Sequence, residues 1–382
     1  MKKITLLGPA HPYRGGIATI MERLCATFSQ RGAKSTLLTF TVQYPEILFP
    51  GKSQYRESEP PEGIDIERAV NTIRPLNWIK VGQRIKRDRP DALILKYWTP
   101  FMAPCFGTIT RIARRNGHTK VLVHLDNVIP HEKHIIDTAF TRYFIGSADG
   151  FIYMSEQVKR DLRLFTENKP ALYSPHPLFD NLGTRIPKNE ACRTLGLDAR
   201  TSYMLFFGLI RDYKGLDLLI EAWRMLKAEG KAEGRKLLVA GEFYSGRERY
   251  MRQIRQAGLE EDIIVHDRFI PDPDVKHYFS VADCLVLPYY SATQSGVTQI
   301  AYNFDVPMIA TRVGGLAEIV TDGVSGIVTD VSAESIAAAI DRFYTRDTAE
   351  VLRRGVEKEK ARFSWTAAAD RLEELYELCK NN

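Results

Sequence analysis

Short apolar runs recur along the chain, and each is followed by a stretch with helical spacing. In the first half the runs fall at 4–7, 35–40, 92–96, 120–124, 150–154 and 171–174, with helical stretches such as 16–30 and 76–89 between them. A second series begins near residue 203, at 203–207, 236–240, 263–266, 284–287, 308–310 and 326–328. It too has helices between, such as 216–229 and 250–256. Strands that alternate with helices predict parallel βαβ units. The expected fold class is α/β, with two Rossmann-like, doubly wound halves of similar size.

A chain of 382 residues is long for one ordinary core, which supports two domains. Gly183, Pro187 and polar residues cluster over 180–189, so the expected division is 1–183 and 184–364. Residues 52–63 are polar and rich in Pro and Glu, and read as a surface loop. Five scattered cysteines without C-x-x-C spacing read as reduced thiols of a cytosolic protein. The N-terminal apolar run is too short for a signal peptide, and no run is long enough to span a membrane. The net charge of +6 is mild. It suits an anionic ligand or contact with anionic lipid, and no motif supports nucleic acid as a partner.

The most informative segment is Phe206-Phe-Gly-Leu-Ile-Arg-Asp-Tyr-Lys-Gly-Leu216. It leaves an apolar strand through Gly208 into a turn that carries Arg211 and Lys214. Arg offers a planar fork to phosphate oxygens and Lys a compact point charge. Both follow a strand end, where open α/β sheets bind ligands. Later in the chain comes Gln294-Ser-Gly-Val-Thr298, leading into Gln299. Here Gly296 permits close approach, and the N–H groups of Ser295, Gly296, Val297 and Thr298 read as a phosphate cradle. Gln294 and Gln299 offer amides to sugar or ribose hydroxyls. The plainer reading is a helix capped by Ser295.

Other turns add to this. Gly15 and Gly16 open the first helix after strand one, as a ligand contact or a tight turn. Arg268 and Phe269 leave a strand where a nucleobase would lie. Gly314, Gly315 and Glu318 form another strand-to-helix turn. His124, Asp126, Asn127, His131 and Glu132 crowd a strand end in the first half, without a recognised zinc spacing. His124 there suits a sugar hydroxyl, or a structural role. The G-x-G-x-x-G fingerprint, the P-loop, the G-x-S-x-G elbow and H-E-x-x-H are absent.

Gly15-Gly16, Gly208 with Arg211 and Lys214-Gly215, Pro307 with Met308-Ile-Ala-Thr311, Gly314-Gly315 with Glu318, and Phe363-Ser-Trp365 together carry a resemblance that spans the whole chain. The chain resembles the GT-B retaining glycosyltransferases of family 4, the glycosyl transferases group 1. The resemblance implies two domains facing across a cleft, with the donor on the C-terminal side and the acceptor on the N-terminal side. It implies a last helix, about 365–382, that packs back on the N-terminal domain. It implies transfer of a hexose from a nucleotide diphosphate sugar to a glycan or lipid-linked acceptor, with retention, as in polysaccharide biosynthesis. Arg211, Lys214 and His124 would be the catalytic residues, with no cofactor and no metal. One departure stands out. The family's E-x7-E positions fall on Ala292 and Ile300, neither of them acidic. A non-catalytic nucleotide-sugar-binding protein is therefore the alternative, and an epimerase of the same architecture lacks visible catalytic carboxylates. Arg84, Lys86, Arg87, Arg89, Arg111, Arg114 and Arg115, with Trp78, Trp98 and Phe101 near in sequence, raise a peripheral contact with the inner face of the cell membrane.

Overall fold

The computed structural model describes residues 1–45, 54–55, 59–129, 137–292, 295–345 and 347–381. The chain divides into two compact units, Met1–Pro177 with Trp365–Asn382, and Leu178–Ser364.

In the first unit, β1 (Lys3–Leu7), β2 (Lys34–Val42), β3 (Asp65–Asn71), β4 (Ala92–Tyr97), β5 (Lys120–Leu125), β6 (Gly150–Tyr153) and β7 (Ala171–Tyr173) form one sheet. Its order is β3-β2-β1-β4-β5-β6-β7, and every pairing is parallel. Alternate residues of one strand serve different cores. Leu93, Leu95, Val121 and Val123 pack on one face. Ala92, Ile94 and Leu122 pack on the other. Both faces of a parallel sheet are covered by helices, which is why its strands read as continuous apolar runs. β3 lies outside the runs read from the sequence. It is the edge strand, Asp-Ile-Glu-Arg-Ala-Val-Asn, and only its last two residues are buried.

The second unit repeats the plan with β8 (Ser202–Phe207), β9 (Arg235–Ala240), β10 (Ile263–His266), β11 (Ala282–Leu287), β12 (Met308–Thr311) and β13 (Gly326–Thr329). Its order is β10-β9-β8-β11-β12-β13, again all parallel. Tyr203, Leu205 and Phe207 enter one core. Met204 and Phe206 enter the other. In each unit the winding reverses beside the first strand, at β1/β4 and at β8/β11. Ligands of such sheets bind outside the strand C-termini at that switch point.

The division falls at Pro177/Leu178, ahead of the expected 183/184. Leu178 and Leu182 are buried in the second unit's core, and the Leu178 N–H donates to Phe363 O at 3.0 Å. The Gly183 turn, read as the join, therefore lies inside the second unit. Helix Trp365–Asn381 belongs with the first unit. There Trp365, Ala369, Leu372, Leu375 and Cys379 pack with Ile4, Met21, Leu24, Ile94, Leu122 and Ile152.

Candidate functional site

The loops after β8 and β11 meet at the second unit's switch point. Gly208 (φ 94°) and Gly215 (φ 68°) bracket the first loop, in left-handed conformations that suit glycine. A Cβ on Gly215 would stand 2.0 Å from Pro288 O, so the β11 loop packs directly on this backbone. The Tyr290 N–H donates to Tyr213 O at 2.8 Å, and the Tyr290 hydroxyl to Asp217 Oδ2 at 2.7 Å. The loop after β12 joins them, with the Gly315 N–H on Ala292 O at 3.3 Å.

Arg211 is exposed, and its guanidinium lies 4.3 Å from the centre of the Tyr244 ring. Lys214 is 8% exposed. Burial, reinforced by the Arg211 charge, pulls its ammonium down to about 8. Among the described residues no carboxylate forms an ion pair with either cation; the adjacent Asp212 is taken by Arg249 at 3.2 Å. Two unopposed cations, one of them desolvated, raise the energy of the empty site and favour a polyanion.

Helix Gly296–Asn303 begins beside them. A Cβ on Gly208 would lie 3.4 Å from Lys214 Nζ and 3.6 Å from Val297 Cγ2, so Gly208, Lys214 and Val297 converge. The first N–H groups of a helix lack intrahelical acceptors. Ser295 occupies the N-cap position but its side chain makes no capping bond; its hydroxyl lies 3.3 Å from Tyr289 OH. Thr298 corrects the cradle expected from the sequence. Its N–H donates to Ser295 O at 3.2 Å and its hydroxyl to the same oxygen at 2.6 Å, so neither is offered to a ligand. Gln299 is fully buried, and its amide has no hydrogen-bond partner among the described residues. It lies inside the unit, away from the open surface where a hydroxyl contact was expected. Gln294, His131 and Glu132 lie outside the described residues.

Phe269, after β10, is 70% exposed. Arg268 beside it reaches Asp274 Oδ2 at 3.4 Å and Tyr278 OH at 3.5 Å. In the first unit, Gly15 (φ 113°) precedes helix Gly16–Gln30, whose first turn has no side-chain cap and no acidic residue. The β1 loop is held by Glu22, 6% exposed, whose Oε1 accepts from the His11 N–H at 2.7 Å.

His124, on β5, is 3% exposed and pairs in register with Lys96 on β4. Lys96 was not singled out in the sequence. It is 0% exposed, with Nζ 2.7 Å from His124 Nδ1 and 2.6 Å from Asp126 Oδ1. Burial lowers Lys96 and raises Asp126, and their contact opposes both shifts. The Asp126 side chain keeps 16% exposure, so we write the pair as ammonium and carboxylate. Burial, then the charge of Lys96, holds His124 well below the ordinary imidazole range. His176 is drawn down to about 4 by burial, and its Nδ1 donates to Pro177 O at 2.7 Å. Among the described residues no group of three His, Cys, Asp or Glu has the geometry of a metal site.

The aromatic residues singled out in the first half and three of its basic ones are engaged, while Lys86, Arg87, Arg89 and Arg115 are exposed. Arg84 bonds Glu67, Arg114 pairs with Asp149 at 2.6 Å, and Arg111 lies over the Tyr143 ring at 3.8 Å. The indoles of Trp78 and Trp98 donate to Asn71 O and Tyr44 OH, and Phe101 packs on Tyr44. No helix among the described residues is long and apolar enough to cross a membrane.

Residues 201–346 match the family described as glycosyl transferases group 1. A D-inositol 3-phosphate glycosyltransferase of Thermobispora bispora is 30% identical over 206 residues, 51% of this chain and 47% of the relative. That of Corynebacterium diphtheriae is 28% identical over 202 residues, 51% of this chain and 46% of the relative. The chain thus spans about half the length of the curated relatives it matches. Among solved structures, a sucrose-phosphate synthase from Thermosynechococcus elongatus superposes with a TM-score of 0.71 at 18% identity, over 99% of both chains. A glycosyltransferase from Rickettsia africae gives 0.74 at 15%, over 100% of this chain and 99% of its own. Anabaena HepE in complex with UDP gives 0.72 at 16%, over 98% of this chain and 99% of its own. Residues 201–346 thus resemble the glycosyl transferases group 1, and the fold over nearly the whole length is the GT-B fold of these solved structures.

Proposed function

We propose that the protein transfers a hexose from a nucleotide diphosphate sugar to a glycan or lipid-linked acceptor, with retention and without a metal ion. The observation that carries this reading is the pair of unopposed cations, Arg211 and the buried Lys214, converging with the start of helix Gly296–Asn303 at the β8/β11 switch point. The bond between the anomeric carbon and the donor diphosphate breaks with its electrons going to the diphosphate. The acceptor oxygen bonds the same face of that carbon, and its proton passes to the departing diphosphate. Arg211 and Lys214 stabilise the charge that grows on the leaving group, the work a metal ion does elsewhere. Phe269 offers a stacking face for the base, and Gly15 and Gly16 admit close approach of a ligand in the first unit. The site of action is cytoplasmic, with a peripheral contact at the inner face of the membrane.

The first probes are UDP sugars, because Anabaena HepE has been solved with UDP-glucose. A panel of nucleotide sugars, screened by thermal shift and followed by product analysis, tests the reading. Arg211→Ala is expected to lower kcat/KM by about 10²–10³-fold. Absence of any binding across the panel, with no effect of Arg211→Ala, would reject it. A second reading is a nucleotide-sugar-binding protein without turnover. It is favoured by Ala292 and Ile300 at the family's acidic positions and by the inward burial of Gln299. Donor binding without product over a broad acceptor set would select it.

A further inference from the structure

The Lys96 ammonium has three hydrogens and no lone pair. Three acceptors surround it: His124 Nδ1 at 2.7 Å, Asp126 Oδ1 at 2.6 Å and Met154 Sδ at 3.9 Å. His124 Nδ1 must therefore supply a lone pair, which leaves the ring hydrogen on Nε2. The assignment holds for Lys96 as the ammonium, the form that its contact with Asp126 favours. We propose that Lys96 is a positioning residue that fixes His124 as a neutral imidazole with its hydrogen on Nε2, so that His124 meets a ligand oxygen as a hydrogen-bond donor and takes no proton from an acceptor hydroxyl.

Three observations support this beyond the contact itself. Lys96 and His124 are register partners on neighbouring parallel strands, so the sheet holds their separation. They stand near the C-terminal ends of β4 and β5, at the side of the first unit's switch point where ligands bind. Of the titratable groups that face the ring, Lys96 disfavours an imidazolium, His176 is itself neutral above about pH 5, and Asp126 is neutralised by Lys96. The ligand oxygen is taken as a sugar hydroxyl, and that part rests on the glycosyl-transfer reading above. A retaining transfer in which the donor diphosphate accepts the proton needs no protein base at this position, and the fixed tautomer accords with that.

The test uses the full chain with ¹⁵N-labelled histidine and long-range ¹H–¹⁵N correlation spectra, with His124→Gln to assign the signal. The expected spectrum shows His124 protonated on Nε2 alone, unchanged between about pH 5 and pH 8. A hydrogen on Nδ1, or an ordinary titration of His124 in that window, would overturn the proposal without reference to any substrate. In Lys96→Met, Asp126 loses its cation and His124 is expected to titrate with mixed tautomers. Should that variant not fold, the wild-type spectrum still decides. UDP-glucose and UDP are the ligand probes. Lys96→Met is expected to weaken UDP-glucose by about tenfold relative to UDP; an unchanged ratio would remove the contact with a sugar hydroxyl. If the wild type binds neither probe, the glycosyl-transfer reading loses its support, and the spectrum alone judges the assignment of Lys96.

Discussion

At Gly215 a hydrogen is the largest substituent the fold admits. Its φ is 68°, and a Cβ would press to 2.0 Å from Pro288 O. Gly32 has a similar φ of 83° with nothing within 4 Å of its Cβ position. The two glycines separate backbone strain from crowding. Gly32→Ala should cost about 1 kcal/mol, the left-handed term alone. Gly215→Ala should cost roughly 3 kcal/mol, with the overpacking added, as read by urea denaturation. Equal losses at the two sites would contradict this. Lys214 makes a pH argument. Its folded value, about 8, lies below the ordinary 10.5, so the charged form burdens the fold below about pH 8. That burden fades as pH rises from about 8 to about 10.5, where stability gains. A bound polyanion relieves the burden only while Lys214 is charged. Thermal stabilisation by pyrophosphate should therefore be large near pH 7 and smaller by about pH 9.5. A shift that is level with pH would argue against Lys214 as the anion's partner. Arg211 and Lys214 were legible in the sequence because cations rarely open a helix without reason. Lys96 was not, since a lone Lys ending an apolar strand looks like any strand end until β5 is set in register beside it.

Most elements were readable from their apolar runs, and the exception is physical. β3 is an edge strand with one neighbour, so it needs little apolar surface, and its sequence stays polar. For the short helix Gly296–Asn303 the plainer alternative to a phosphate cradle was Ser295 as its cap, yet that hydroxyl lies beside Tyr289 and makes no capping bond. Helix Pro75–Asp88 shows the limit of counting charges along a sequence. Arg84 is spent on Glu67 and Asp88, while Ile73, Leu76 and Ile79 stand 49%, 82% and 40% exposed near the exposed Lys80, Lys86 and Arg87. Exposed apolar side chains on a segment that also carries exposed cations suit an anionic lipid surface better than the arginines of helix Ala103–Arg114 do. The peripheral contact proposed above is expected to use this helix. Wild-type protein should sediment with phosphatidylserine vesicles, and Leu76→Glu should weaken that binding by about tenfold. Failure to sediment with anionic vesicles at low salt would dismiss the contact.

Across the whole molecule, two halves of one plan were evident because the strand–helix alternation restarts near residue 203. The division was misjudged by the width of a turn, since Gly and Pro mark where a chain bends and not which core it enters. The bend at Gly183 belongs to a segment whose Leu178 and Leu182 are already buried in the second unit. The last helix has a consequence for synthesis. The face of the first sheet that carries Ile4, Ile94, Leu122 and Ile152 is covered in part by residues from Trp365 onward. A ribosome makes that cover only after the entire second unit. The half whose translation begins first is thus the half that closes last, and a newly made chain must carry an uncovered apolar seam while its later half has all it needs to fold.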